Sequence, residues 1–167
     1  MTALRRIIVP VLLAIVGAGL LTAPASPAAA VTVAAARAAK AKTERASALR
    51  YLNAYRVRSG CRPVRALNTL NLAAQRHAAD MATRGYFNHV SPRTGTFVQR
   101  ARRAGYRAPM SENIAWGQPN GRSAFLAWRN SPPHRRNMVN CAARSVGTGM
   151  AYSRTGTPYW VQVFGRV

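Results

Sequence analysis

Acidic side chains are nearly missing from this chain. Glu44, Asp80 and Glu112 are the only three in 167 residues, against 25 Lys and Arg. So few carboxylates leave little for catalysis or metal binding, and each one present calls for a reason. Lysine is almost as scarce: beyond Lys40 and Lys42 every cation is arginine. Cysteine is limited to Cys61 and Cys141, which are not at metal-ligand spacing because there is no C-x-x-C. H-E-x-x-H is absent, and so is the G-x-S-x-G elbow of many serine hydrolases. Only one long apolar run occurs, Ile7 to Leu21. It is short for a span of about 20 residues. No internal repeat and no nucleic-acid motif is visible.

What is present begins with an export signal. Arg5 and Arg6 precede the apolar run, and Ala28-Ala29-Ala30 supplies small residues after it. Residues 1–30 read as a signal peptide cleaved after Ala30, with an uncleaved anchor as the alternative. The mature chain then has 167 − 30 = 137 residues, enough for one domain with a real core. Without the two leader arginines it carries 25 − 2 = 23 cations against three acids, a net charge of 23 − 3 = +20. Such a surface attracts polyanions and opposes self-association. The expectation is a secreted, wall-associated monomer whose partners are anionic wall polymers or lipid headgroups rather than nucleic acid. Export also favours a Cys61–Cys141 disulfide over two reduced buried thiols. Closing that long loop contributes about 4–5 kcal/mol in the chain-entropy model.

The pattern of elements is α+β. Residues 31–42 are an Ala-rich lead-in, flexible or loosely helical. A first helix is expected over Thr43–Ser59, with Thr43 as cap and Glu44 in its first turn, where a carboxylate complements the dipole. A second is expected over Thr69–Arg84, capped by Asn68 and stopped by Gly85. In it Leu70, Ala74, His77 and Met81 share a face, so His77 reads as a core histidine with one hydrogen bond. Asp80 stands four residues from both Arg76 and Arg84, as in a surface ion pair. A loop holding His89 follows, then a helix over Thr96–Ala104. An extended segment covers Ser111–Gly117. A fourth helix starts at Ser123 and ends at Pro132-Pro133. Val146–Tyr152 and Tyr159–Phe164 form a terminal hairpin.

Glu112 has no local explanation of the kind that Glu44 and Asp80 have. His89 and His134 lie in polar turn contexts, off any apolar stripe. Two histidines and a glutamate are one ligand set of open zinc sites, which makes His89, Glu112 and His134 a candidate for Zn²⁺ or another divalent cation. The alternative is a hydrogen-bonded His–Glu–His network that braces loops. Ser91, Ser111 and Ser131 lie near these residues but serve equally well in turns.

Several spaced stretches carry a family resemblance. They are AAQRHAADMATRGYFNHVSP over residues 73–92, Gly105-Tyr106, ENIAWGQ from Glu112, WRNSPPHRRNM from Trp128, VGTGMAY from Val146 and YWVQVFG from Tyr159. In this order they resemble the bacterial branch of the CAP superfamily, the SCP or cysteine-rich secretory protein family, over about Ala48–Val167. The domain is assigned to residues 43–167. The resemblance implies an α-β-α sandwich with helices on both faces of a small, mostly antiparallel sheet. It implies a cleft in which the family's two histidines fall on His89 and His134 and one glutamate on Glu112. The second glutamate falls on Ser131 and is missing here, and Ser111 and Pro133 replace two glycines of the family motifs. A non-catalytic binding module with a His/Glu cleft and a lipid or envelope ligand follows. A metal-dependent hydrolase acting on envelope or peptide substrates and a surface polyanion or nucleic-acid binder are the alternatives.

Overall fold

The structure of the protein, a computed structural model, describes residues 27–167. As far as residue 26, the expected leader lies outside the described residues. The elements are α1 (Pro27–Arg58), β1 (Arg65–Ala66), α2 (Asn68–Arg84), α3 (Phe97–Arg103), β2 (Pro109–Trp116), α4 (Gly121–Asn130), α5 (Pro132–Met138), β3 (Ser145–Tyr152) and β4 (Pro158–Gly165). The strands order as β1-β3-β4-β2, with β1 parallel to β3 and the other pairs antiparallel. This is the expected α+β sandwich.

Strand alternation builds two cores, one on each face. Trp160 and Phe164 of β4 join Leu52 of α1 and Phe125 and Trp128 of α4. Tyr159, Val161 and Val163 point the other way, onto Leu70, Ala74, Ala78 and Met81 of α2. Each fully buried large apolar side chain contributes roughly 1.5–3 kcal/mol. Helix α2 lies so close to β3 that a Cβ on Gly147 would stand 2.0 Å from the Leu70 carbonyl carbon. Only glycine allows that approach. The free edge of β3 is closed by side chains of the same helix: Thr148 N–H donates to Asn71 Oδ1 at 3.0 Å and Met150 N–H to Gln75 Oε1 at 3.1 Å. A capped edge cannot recruit another strand.

The disulfide between Cys61 and Cys141 is formed, with its Cα atoms 4.9 Å apart. It ties the end of α1 to the segment between α5 and β3. Buried Arg56 does the same without any acid. Its guanidinium donates to the carbonyls of Arg62, Met138, Asn140 and Ala143 at 2.6–3.0 Å.

Several local expectations are corrected. Helix α1 passes through Thr43, whose hydroxyl bonds the Ala39 carbonyl inside the helix, so Thr43 is no cap. Glu44 is therefore remote from a first turn; its Oε2 accepts from Gly121 N–H at 2.8 Å and caps α4 instead. The α2 cap position is Leu67, without a side-chain bond, and not Asn68. Helix α4 starts at Gly121, ahead of Ser123, because Asn120 Oδ1 takes the Ser123 N–H at 2.8 Å. Pro132 and Pro133 open a helix, α5, where a missing N–H costs nothing. His134 thus stands on a helix and not in a turn. The parallel strand β1 is too short for any sequence pattern.

Candidate functional site

Strand β2 is an edge strand, and its alternation sorts the site. Glu112 shares a face with Ile114, toward α2 and α3, while Asn113 shares a face with Ala115, toward α4 and α5. His89 comes from the loop after α2 and His134 from α5.

The His89 loop is held at several points. Asp80 accepts from Tyr86 Oη at 2.5 Å, Ser91 Oγ at 2.7 Å and Arg84 Nε at 2.8 Å. Burial pushes the Asp80 carboxyl up, but those bonds together outweigh it and leave it below its ordinary value. Arg76, the other expected partner of Asp80, makes no ion pair among the described residues. Ser91 and Gly95 exchange two backbone bonds of 3.0 and 2.9 Å. His77, fully buried, meets the Asn88 carbonyl at 2.9 Å through Nε2, while its Nδ1 has no partner. This is the core histidine expected.

Glu112 is almost sealed, its side chain 1 % exposed. One oxygen faces His89 Nδ1 at 2.9 Å and the other accepts from Arg100 Nη2 at 2.6 Å. Arg100 also donates to the carbonyls of His89, at 3.0 Å, and Gly95. Both carboxylate oxygens are engaged, and Glu112 stands behind His89. A proton on Nδ1 toward the carboxylate directs the Nε2 lone pair of neutral His89 away from it, and this ring is half exposed.

His134 is oriented in a parallel way by a neutral group. Its Nδ1 shares a 2.8 Å hydrogen bond with Ser131 Oγ. Asn113 Nδ2 donates to the His134 carbonyl at 3.2 Å, and Asn137 Nδ2 donates to Asn113 Oδ1 at 2.8 Å, which docks α5 on β2. Burial, and then the nearby His89 charge, hold the His134 pKa below the usual imidazole value. Both histidines meet strand β2, His89 through its ring on Glu112 and His134 through its carbonyl on Asn113. Ser131, at the place of the missing glutamate, is a ring-orienting hydroxyl here.

Sequence reasoning missed Arg100, Asn113 and Asn137. A signal for Arg100 existed: it follows Phe97 by three residues and precedes buried Ala101, so it lies at the inward face of α3. A cation there needs a buried partner.

For a divalent cation the donor chemistry is limited. Among the described residues no group of three or more His, Cys, Asp and Glu is assembled to hold a metal ion. Two imidazoles are one protein ligand short of a catalytic zinc centre. Glu112 is placed to orient His89, the role of a carboxylate behind a metal-binding histidine.

Among the described residues no helix is long and apolar enough to cross a membrane. Residues 49–164 match the family model described as the cysteine-rich secretory protein family. A Bacillus subtilis relative, the uncharacterized protein YkwD, is 34% identical over 113 residues, which is 67% of this chain and 43% of that protein. This chain therefore spans less than half the length of that relative. An extracellular protein containing an SCP domain from Bacillus anthracis has the same fold, with a TM-score of 0.70 at 24% identity over 87% of this chain and 45% of its own. An outer surface protein from Borrelia burgdorferi matches with a TM-score of 0.65 at 17% identity, covering 75% of this chain and 93% of that one. With two layers of helices around the sheet, the two histidines at its β2 edge and a family model that spans most of its length, the chain belongs to the cysteine-rich secretory protein family.

Proposed function

We propose that this chain is an exported, non-catalytic binding module whose ligand contacts are the outward Nε2 atoms of His89 and His134. The observation that carries this reading is the engagement of Glu112. An acid already shared between Arg100 and His89 is not free to activate water, and Ser131 offers no replacement carboxylate. The leader-like N-terminus, the surface charge and the extracellular and outer-surface descriptions of two structural relatives support export. The same charge supports retention by anionic envelope polymers or lipid surfaces. A divalent ion such as Zn²⁺ is a ligand suited to two outward imidazoles, with Glu112 positioning His89. The test is Zn²⁺ titration of the mature protein beside assays on wall and peptide substrates. Expected are saturable binding that requires both histidines and no turnover; product release that His134→Ala abolishes would overturn the reading.

A hydrolase keeps one supporting observation, the Glu112–His89 pair, because a carboxylate on Nδ1 is how a general-base histidine is oriented. The same substrate assays decide it.

A further inference from the structure

A second site lies behind the histidines, on the α2–α3 face. Arg76, Arg100 and Arg103 line a cavity of about 90 Å³ together with Ala73 and Thr94. No acid lines it. It is a small depression open to solvent, with room for one tetrahedral oxyanion.

Two of the three cations, Arg76 and Arg103, have no carboxylate partner among the described residues. Arg76 is exposed and makes no hydrogen bond or ion pair among the described residues, although Asp80 is four residues away. Arg103 bonds only the Thr94 carbonyl, an uncharged group. Arg100 is 4 % exposed at its side chain, and its Nε is buried without a hydrogen-bond partner. Glu112 already serves Arg100 and His89, and Asp80, one turn from Arg76, is taken by Arg84, Tyr86 and Ser91. With Glu112 set against Arg100 and Asp80 against Arg84, Arg76 and Arg103 remain as an excess of two positive charges. Guanidinium groups match phosphate oxygens in charge and planar geometry.

We propose that Arg76, Arg100 and Arg103 form a phosphate-binding pocket, separate from the histidine ligand site, that takes a phosphate group. The group can be free phosphate, a phosphodiester of an envelope polymer or a lipid headgroup. All three present the same oxyanion to the arginines. The polymer then continues over the exposed surface of α3.

The full mature protein is titrated at low ionic strength with inorganic phosphate, with a soluble glycerol-phosphate polymer and with phosphatidylglycerol vesicles. Arg76→Gln/Arg103→Gln changes two exposed side chains and is expected to fold normally. Arg50→Gln/Arg58→Gln on α1 removes the same charge elsewhere. The expected result is one-to-one phosphate binding that falls about tenfold or more in the pocket variant and less than twofold in the α1 variant. His134→Ala, on α5 and with no bond to a pocket residue, retains it within twofold, which separates failure of this proposal from failure of the cleft reading. If the polymer shows the same pattern, the pocket reads a polymer phosphodiester; if only vesicles do, it reads a headgroup. Equal weakening in both arginine pairs would mean diffuse surface charge and overturn the proposal, as would no phosphate binding by the unaltered protein.

Discussion

Arg100 and Glu112 meet at 2.6 Å with their side chains 4 % and 1 % exposed, and this buried pair holds up the His89 side of the cleft. The guanidinium reaches the His89 carbonyl while the carboxylate reaches the His89 ring. One ion pair therefore fixes both the backbone and the side chain of a single residue.

Removing one partner strands the other charge in the interior. Arg100→Ala is expected to lower stability by about 3–5 kcal/mol. Urea denaturation followed by tryptophan fluorescence checks this. A loss under about 1 kcal/mol would mean that water reaches the site and that the pair is not sealed.

Gly147→Ala tests how α2 sits on β3. The added Cβ meets backbone atoms of Leu70 and Asn71, which cannot swing aside as a side chain can. The helix must move, at a cost of about 1–3 kcal/mol or more. A variant with an unchanged melting temperature would show that the helix and strand are not in this contact.

His77 sets a pH dependence. Its pKa is lowered by burial and then by Arg100, against smaller raising effects of Glu112, the Asn88 carbonyl and Asp80; Tyr86 packs on the same ring. A histidine with a lowered folded pKa takes up its proton more readily when unfolded. Its contribution is complete above the unfolded value of about 6.5 and is lost as pH falls below it, by at most about 1.4 kcal/mol per pH unit. Stability should fall as pH is lowered through that value toward the acid range, and His77→Gln should flatten that limb. His134 adds to the slope in the same direction. An equally steep limb in the His77 variant would contradict the assignment.

The disulfide closes a loop with a sequence separation of 80. Cys61→Ser/Cys141→Ser is expected to cost about 4–5 kcal/mol in the chain-entropy model. Because Arg56 binds the same segment through four carbonyls, the variant should still fold at low temperature. Complete unfolding in the cold would show that those bonds depend on the bridge.

Much of this architecture was legible because periodicity and turn chemistry are local. The stripe from Leu70 to Met81, the stop at Gly85 and the terminal hairpin all follow from residues close in sequence. What stayed hidden depends on distant partners. Glu44 looked like a residue of a helix start because its real partner, Gly121 N–H, lies 77 positions away. Pro132-Pro133 looked like a stop because prolines end one helix and open the next equally well. The site residues stood out as anomalies of type and context. Their division of labour did not: that Glu112 faces Arg100 as well as His89 is set by the meeting of β2 with α3.

The central claim is that the histidines bind and Glu112 positions. Zn²⁺ titration followed by the ring signals of His89 and His134 tests it most directly. The prediction is that both rings respond together at one ion per chain and that either His→Ala variant loses the ion. Glu112→Gln should keep it with affinity reduced about 10–100-fold, as for a residue behind a ligand. Loss in Glu112→Gln as complete as in the histidine variants would make Glu112 a ligand, and no response from either ring would contradict the claim outright.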